Sequence, residues 1–343
     1  MLKTIRKYFL LYKDEYQKHQ IKSISSYLFV HVNLLIYSFF AGNKKLVAIS
    51  LIEHIGDIIA TEPISREIRK KYPGAKILWF VRKPYRELLL YNPNIDKVIT
   101  IYCLTTWIRI RNKHRFEAIY DLHFNGRSCN VCFRPLKKEA VDDSVNGMNY
   151  FNFGGLLKAV CIHNKIEVLD TNPQMYIPPR VIRRSEKFIP VGNYIVVHCS
   201  SNELIKDWEH DKWNQLVTIL IKEYSTHIIE IGTKNNISIE SIYYHNFCGK
   251  LSILQSASII GKAKAFIGID SGPAHMANAL GTPGVVLLGE YYFGMKNYNP
   301  YSGRYGSLDG CHLVHSDSSV KNISVDNVTM NFIALLKETG LII

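Results

Sequence analysis

Residues 265–289 read AFIGIDSGPAHMANALGTPGVVLLG, which is the pattern of a strand, a polar turn, a helix and a second strand. The apolar run Phe266–Ile269 is typical of a buried parallel strand. Asp270–Gly272 then end the run with turn residues. Pro273 suits the first position of a helix, and Gly281 suits its carboxyl end.

The turn after this strand is a candidate binding site. Open α/β sheets bind ligands at the carboxyl ends of their strands. The start of a helix offers free N–H groups and a partial positive charge, which suit a phosphate. Asp270 and His275 are expected to project into the same crevice. The spacing alone fits equally well an ordinary strand–turn–helix connection in which Asp270 caps the helix.

Length and composition indicate a globular chain of two domains. The chain has 343 residues, of which 47% are hydrophobic and 21% charged, enough to form sizeable cores. Its formal net charge of +13 favours anionic partners such as phosphorylated substrates, anionic membranes or nucleic acid. Its seven cysteines include one Cys-x-x-Cys pair, Cys129 and Cys132, with no second pair to complete a zinc site. We therefore expect reduced thiols in a cytosolic protein.

Residues 1–45 form a separate basic region, with eight lysine or arginine residues against two acidic ones. The segment Ile24–Ala41 is largely apolar and aromatic, but His31 and Asn33 interrupt it. It therefore falls short of the roughly 20 clean apolar residues of a membrane span. We expect a basic amphipathic helix that lies on an anionic membrane surface. A helix packed on the protein itself and a true span are the alternatives.

Alternating strand and helix patterns fill the rest of the chain and predict doubly wound parallel sheets. A strand near residues 46–52 leads through Glu53–Asp57 into a helix that is expected to run to about Lys71. In the second half, Asp211 is expected to cap a long helix. The proline-containing basic segment 178–190 is typical of an interdomain linker.

An ordered set of motifs over residues 43–290 resembles glycosyltransferase family 9, the heptosyltransferases. The strongest match is Asp270-Ser-Gly-Pro-Ala-His275, followed by Ala279-Leu-Gly-Thr-Pro283. The remaining matches are Gly56-Asp57 with Thr61 and Pro63, Tyr72-Pro73 with Ala75, Tyr120-Asp-Leu122, Val197-His198, Lys206 with Trp208, and Gly249-Lys-Leu251.

The resemblance implies an α/β fold of GT-B architecture. This fold has two Rossmann-like, doubly wound parallel-sheet domains facing a central cleft, here with an N-terminal helical extension. The expected parts are a basic extension (1–42), an acceptor domain (43–180), a nucleotide-sugar donor domain (190–325) and a C-terminal helix (326–343).

The resemblance also implies inverting transfer of a sugar from a nucleotide-diphosphate donor, usually ADP-heptose, to lipopolysaccharide core or a related cell-surface glycan. Asp57 matches the family's proposed catalytic base, with a helix cap as its alternative role. Lys206 matches the lysine that contacts the diphosphate. The other expected donor contacts are Ser200, Ser201, Asp270, Ser271, Gly272, Pro273, Ala274 and His275. Apart from the resemblance, the basic residues Arg127, Arg134 and Lys137 are candidates to contact an anionic acceptor, with an ordinary solvated surface as the alternative.

No Asp-x-Asp motif occurs in the chain. Because Lys206 and a helix start can supply the positive charge, we expect neither a metal nor another cofactor. The expected partners are the donor, an anionic glycolipid or oligosaccharide acceptor and an anionic membrane surface, without nucleic acid. The expected location is cytoplasmic, peripheral on the cytoplasmic face of the inner membrane. A nucleotide-sugar epimerase and a noncatalytic nucleotide-sugar or nucleic-acid binder are the alternatives.

The chain departs from the family pattern at four places. Leu51 stands where a basic residue is usual, and Glu62 where a threonine is usual. Lys234–Asn236 replace acidic residues, and Glu290-Tyr291 replace Pro-Thr. The resemblance therefore leaves the donor sugar and the acceptor open.

Overall fold

The computed structural model describes residues 2–126, 128–129, 131–291 and 294–341, with side chains from residue 15 onward. The chain divides into two compact units. The first comprises residues 1–53, 64–147 and 160–167, and the second comprises residues 54–63, 148–159 and 168–343. The short segment that follows the first strand therefore belongs to the second unit.

The first unit is built on four parallel strands: β1 (Leu46–Ser50), β2 (Lys76–Arg82), β3 (Lys97–Ile101) and β4 (Ala118–Asp121). They pair in the order β3-β2-β1-β4. The side chains of β1 and β2 are almost all buried, as expected for a parallel sheet covered on both faces.

The helices in this half of the chain are α1 (Leu2–Ala41), α2 (Ile55–Ala60), α3 (Glu62–Lys71) and α4 (Leu104–Lys113). The prediction of one helix from the Asp57 turn to Lys71 is wrong, because the chain breaks at Thr61. The Thr61 hydroxyl donates to the Asp57 carbonyl at 2.8 Å. Pro63 has no N–H with which to continue the helical hydrogen bonds across the break.

The N-terminal helix α1 packs on the first unit along one face. Val30 and Leu34 are 2% and 1% exposed and belong to the core that includes residues of β2, β3 and α4. Ser23 Oγ lies 3.1 Å from Thr106 Oγ1. The N-terminal helix is confirmed. One face of it packs on the protein, which was one of the alternatives to a helix lying on a membrane surface.

Six parallel strands form the second sheet: β5 (Tyr194–His198), β6 (His227–Glu230), β7 (Tyr244–Asn246), β8 (Ala265–Ile269), β9 (Gly284–Leu288) and β10 (Cys311–His315). They pair in the order β10-β9-β8-β5-β6-β7. Every residue of β5, β8 and β9 is buried. The sequence-based prediction lacks the two edge strands, because β7 has only three residues and β10 carries two histidines among its five.

The remaining helices are α5 (Leu156–His163), α6 (Pro179–Ser185), α7 (His210–Tyr224), α8 (Ile253–Lys262), α9 (Gly272–Leu280) and α10 (Val325–Thr339). Instead of a linker, residues 179–185 form α6, which packs against α8. Proline is tolerated in the first turn of a helix, where its missing N–H has no helical partner to lose. Asp211 lies within the first turn of α7 and the cap is Glu209, so the predicted cap is wrong.

Residues 265–289 form β8, a turn, α9 and β9, which confirms the predicted order. Gly281 ends α9 with φ of +72°, a left-handed conformation that glycine adopts without steric penalty. Gly284 is a position of close approach, since a Cβ there would lie 2.2 Å from the Tyr305 hydroxyl oxygen. Because β8 is a central strand of the sheet, the turn between β8 and α9 lies at the carboxyl end of a central strand.

Candidate active site

The turn after β8 presents Asp270, a buried carboxylate that is 6% exposed. The Tyr298 hydroxyl donates to its Oδ2 at 2.8 Å, and the Tyr301 hydroxyl donates to its Oδ1 at 3.4 Å. Lys206 Nζ also lies 3.0 Å from Oδ2. One cation and two phenols therefore hold the carboxylate at the end of the strand.

Lys206 is placed by the polar turn that follows β5. In this turn the Ser201 N–H donates to Asp207 Oδ1 at 2.7 Å. The Ser201 hydroxyl donates to the Glu203 carbonyl at 2.9 Å and accepts from the Glu203 N–H at 3.0 Å. Ser200, beside it, is half-buried. Ser201 thus shapes the loop that carries Lys206 toward Asp270.

The electrostatics of the pair keep both groups charged. Burial alone would lower the pKa of Lys206, but the carboxylates of Asp270 and Glu203 outweigh it and raise that pKa above its ordinary value. Burial alone would raise the pKa of Asp270, but the Lys206 ammonium and the hydrogen bond from the Tyr298 hydroxyl hold it below its ordinary value. The Lys206 ammonium also lies 4.9 Å from the centre of the Tyr291 ring, within the range of a cation–π contact.

The start of α9 offers two backbone donors beside this pair. Pro273 has no N–H, and the Ala274 N–H already donates to the Ser271 carbonyl at 3.1 Å. The amides of Ser271 and Gly272 remain, and neither has a hydrogen-bond acceptor within the described part of the chain. Two amides at the positive end of a helix dipole are suited to an anion.

His275, in the first turn of α9, is a buried neutral imidazole. Burial lowers its pKa, and the carboxylates of Asp270 and Asp57 oppose this effect without overcoming it. Its ring lies 4.7 Å from that of Tyr301, centre to centre. Its Nδ1 has no hydrogen-bond partner among the residues that the structure describes. An unpaired buried nitrogen of this kind can serve a ligand as a donor or an acceptor.

Close packing between α2 and α9 brings Asp57 into the same unit. A Cβ on Gly56 would lie 2.7 Å from His275 Cδ2, and a Cβ on Gly272 would lie 2.7 Å from Ile55 Cγ2. Only glycine permits this approach at both positions. Asp57 is not the cap of α2, since that position is His54. Its Oδ2 lies 3.8 Å from His54 Nδ1.

Three tyrosines that contact Lys206 or Asp270 are not among the site residues predicted from the sequence: Tyr291, Tyr298 and Tyr301. Burial raises the pKa of all three, so they remain neutral hydroxyl groups. A signal was present, because five tyrosines lie within residues 291–305. Tyr291 is also one of the positions where the chain departs from the family pattern, and here it packs against Lys206.

The candidate acceptor residues Arg134 and Lys137 belong to the first unit, whereas the predicted donor residues and Asp57 belong to the second. Arg134 and Lys137 are exposed. Arg127 lies outside the described residues. In the described ranges, no group of three or more His, Cys, Asp or Glu side chains is arranged to hold a metal ion.

Comparison with known proteins agrees with this architecture. Residues 165–327 match the family "Glycosyltransferase family 9 (heptosyltransferase)". The lipopolysaccharide core heptosyltransferase OpsX of Haemophilus influenzae is 22% identical, over 88% of this chain and 94% of its own length. A family 9 glycosyl transferase from Veillonella parvula has a similar structure (TM-score 0.65, 17% identity, 86% of this chain and 97% of that one). E. coli ADP-heptose lps heptosyltransferase II also has a similar structure, with a TM-score of 0.61 and 18% identity over 87% of this chain and 100% of that one.

The two parallel-sheet units and these similarities define a glycosyltransferase of GT-B architecture. The family whose model matches is glycosyltransferase family 9, the heptosyltransferase family, and this chain resembles its members in sequence and in fold.

Proposed function

We propose that this protein transfers a heptose-type sugar from a nucleotide-diphosphate donor to lipopolysaccharide core or a related cell-surface glycan. The observation that carries the proposal is the cluster of Lys206, Asp270 and the start of α9, against which α2 packs with Asp57. ADP-heptose is the first donor to test, since a protein with a similar structure is named for it. The name of the relative OpsX likewise supports a core acceptor.

On the donor side, the cluster would bind the diphosphate and stabilise it as it leaves. The Lys206 ammonium and the Ser271 and Gly272 amides would contact the anion, and the unpaired nitrogen of His275 would add a further polar contact. Fixed donors aimed at developing charge stabilise a transition state more than water does, because they need no reorganisation. Asp270, already oriented by two tyrosines, would accept hydrogen bonds from sugar hydroxyls.

On the acceptor side, Asp57 would act as the general base. It takes the proton of an acceptor hydroxyl, and that oxygen attacks the anomeric carbon from the face opposite the diphosphate. The bond between the anomeric carbon and the diphosphate oxygen breaks, and its electron pair leaves with the nucleoside diphosphate. A single displacement of this kind inverts the configuration of the sugar.

We further propose that the reaction needs no metal ion, because Lys206 and the α9 amides supply the positive charge. The acceptor would be anionic, with Arg127, Arg134 and Lys137 as candidate contacts. The enzyme would work as a peripheral protein on the cytoplasmic face of the inner membrane, where a nucleotide sugar and a lipid-linked acceptor meet.

The test is product formation with the purified protein, a core oligosaccharide acceptor, and ADP-heptose compared with UDP- and GDP-sugars. We expect nucleoside diphosphate release that depends on acceptor, a product heavier by one heptose, and an inverted anomeric centre by NMR. Donor turnover without acceptor would instead indicate an epimerase. Activity should persist in EDTA, and a loss that magnesium or iron restores would overturn the metal-free mechanism.

A further inference from the structure

The N-terminal helix α1 is fixed to the first unit in one rotational setting. His19 Nδ1 lies 2.6 Å from the Tyr102 hydroxyl, and His31 Nδ1 lies 2.8 Å from His114 Nε2. With the buried Val30 between them, these contacts hold one face of the helix inward along several turns. The opposite face therefore cannot rotate to bury itself on this unit.

That opposite face is an apolar stripe, defined by six side chains that are each between 54% and 81% exposed. At 100° per residue they fall on the side of the helix away from Val30 and Leu34. The stripe extends for about 28 Å at 1.5 Å per residue. Its members are Ile21, Leu28, Phe29, Leu35, Phe39 and Phe40. A contiguous exposed apolar surface of this length is typical of a site that binds a protein or a membrane.

A groove of about 500 Å³ runs between α1 and α4 beside the stripe. Ile24, Leu28 and Ile108 form its apolar part, and Arg109 and Lys113 of α4 line it together with Arg134. No acidic residue of the described chain lines this groove. Arg109 contacts the neutral groups Ser23 Oγ (3.1 Å) and Gln20 Oε1 (3.4 Å), and no acidic side chain of the described residues forms an ion pair with it.

We propose that the stripe and the groove form one docking surface for a leaflet rich in anionic phospholipid. The stripe enters the acyl boundary, and Arg109 and Lys113 bind the phosphate of a lipid headgroup that sits in the groove. Arg134 joins them there, in place of the acceptor contact considered for it above. This inference gives a structural basis to the membrane location proposed above. It does not require that the protein transfers a sugar.

Two observations favour a leaflet over other arrangements. By length and composition, residues 15–41 of α1 are sufficient to cross a membrane, which corrects the expectation that this segment falls short of a span. The inward face of α1 nevertheless contacts β3 and α4, so the helix lies along a folded unit. A second copy of the chain would bring its own Lys18, Lys22 and groove cations against the same charges. Anionic lipid satisfies both the apolar stripe and the cations beside it.

The test is co-sedimentation of the full chain, without donor or acceptor, with vesicles of phosphatidylcholine alone or with one-third phosphatidylglycerol. We expect tighter binding to the anionic vesicles, weakened by salt. Lys113→Gln with Arg134→Gln should weaken anionic binding about thirtyfold, since each basic residue near such a surface contributes about 1 kcal/mol. Phe39→Ser with Phe40→Ser should weaken binding to both kinds of vesicle.

The matched controls are Lys337→Gln and Met330→Ser on α10, a cation and an exposed apolar residue of the other unit. Both should bind as the unaltered chain does. Equal binding to the two vesicle types, or equal losses in controls and test variants, would overturn the proposal. A pair Lys113→Gln/Arg134→Gln that binds vesicles normally but raises KM for a soluble oligosaccharide would assign the groove to the acceptor instead. Circular dichroism of every variant separates these results from misfolding.

Discussion

Replacing Lys206 by methionine isolates the buried ion pair on which the proposed donor site depends. The Asp270 side chain is 9% exposed and that of Lys206 is 20% exposed. Loss of the lysine would leave the carboxylate with two tyrosine hydroxyls and no cation within ion-pair distance in the described structure. Breaking a buried pair by removing one partner costs about 3–5 kcal/mol. Because Lys206 is partly exposed, we expect a loss of about 3 kcal/mol of unfolding free energy, at the lower end of this range.

Removing the carboxylate instead has a smaller expected effect. In Asp270→Asn the Lys206 ammonium keeps Glu203 at 3.6 Å and some contact with water, so we expect a loss of about 1–2 kcal/mol. The double variant no longer contains an uncompensated buried charge. It should therefore be more stable than Lys206→Met alone, with a coupling energy of about 2 kcal/mol.

Urea unfolding of the four proteins measures the coupling, and transfer kinetics measure function on the same samples. Lys206→Met should lower kcat/KM about 10²–10³-fold, which is typical for the loss of one preorganised donor. The double variant should recover stability but not activity. Lys206→Arg, which keeps the charge, should retain more activity than Lys206→Met.

Additive losses, within about 0.5 kcal/mol, would refute the energetic pairing of Lys206 with Asp270. Full activity in Lys206→Met would refute the assignment of its charge to the leaving diphosphate. Because unfolding free energy and turnover are measured separately, a loss of activity caused only by unfolding can be told apart from a loss of transition-state stabilisation.

Two other predictions concern stability. Gly284→Ala should lose about 1–3 kcal/mol of unfolding free energy, because its Cβ would lie 2.2 Å from the Tyr305 hydroxyl oxygen. Adding Tyr305→Phe to this variant should restore part of the lost stability. The control is Gly74→Ala, where a Cβ would meet no atom within 4 Å and stability should be nearly unchanged. The second prediction is that stability is full above pH 6.5 and falls as the pH drops below that value. Burial holds six histidine pKa values below the ordinary 6.5, so the unfolded chain binds protons first and is favoured. A urea midpoint that stays constant from pH 7.5 to 5 would contradict this prediction. The six are His114, His163, His198, His245, His275 and His315.

The core of the second unit was predictable because its signals are local. Residues 265–289 combine an apolar run, turn residues, a proline at a helix start and a glycine at its end, and each has one favoured conformation. The same holds for α8, where Ser252 and Gln255 form a capping box. Such features need no knowledge of what packs against them.

Features that depend on tertiary packing were not predictable. The edge strand β7 reads Tyr-His-Asn and gains its conformation from pairing with β6. The phenols of Tyr298 and Tyr301 reach Asp270 through a loop without periodicity. The departure at Glu62 also has a structural role, since its carboxylate accepts from the Gln174 N–H and the Tyr176 hydroxyl, each at 3.0 Å.

The most direct test of the proposed reaction is to measure donor binding and sugar transfer separately in Asp57→Asn, with Asp326→Asn on α10 as the matched control. Calorimetry with ADP-heptose and single-turnover transfer to a core oligosaccharide provide the two quantities. We predict donor affinity within about threefold of the unaltered protein and transfer slower by about 10²–10⁴-fold, the contribution of a general base. Transfer at the unaltered rate would contradict the assignment of Asp57 as the base on which the proposed mechanism depends.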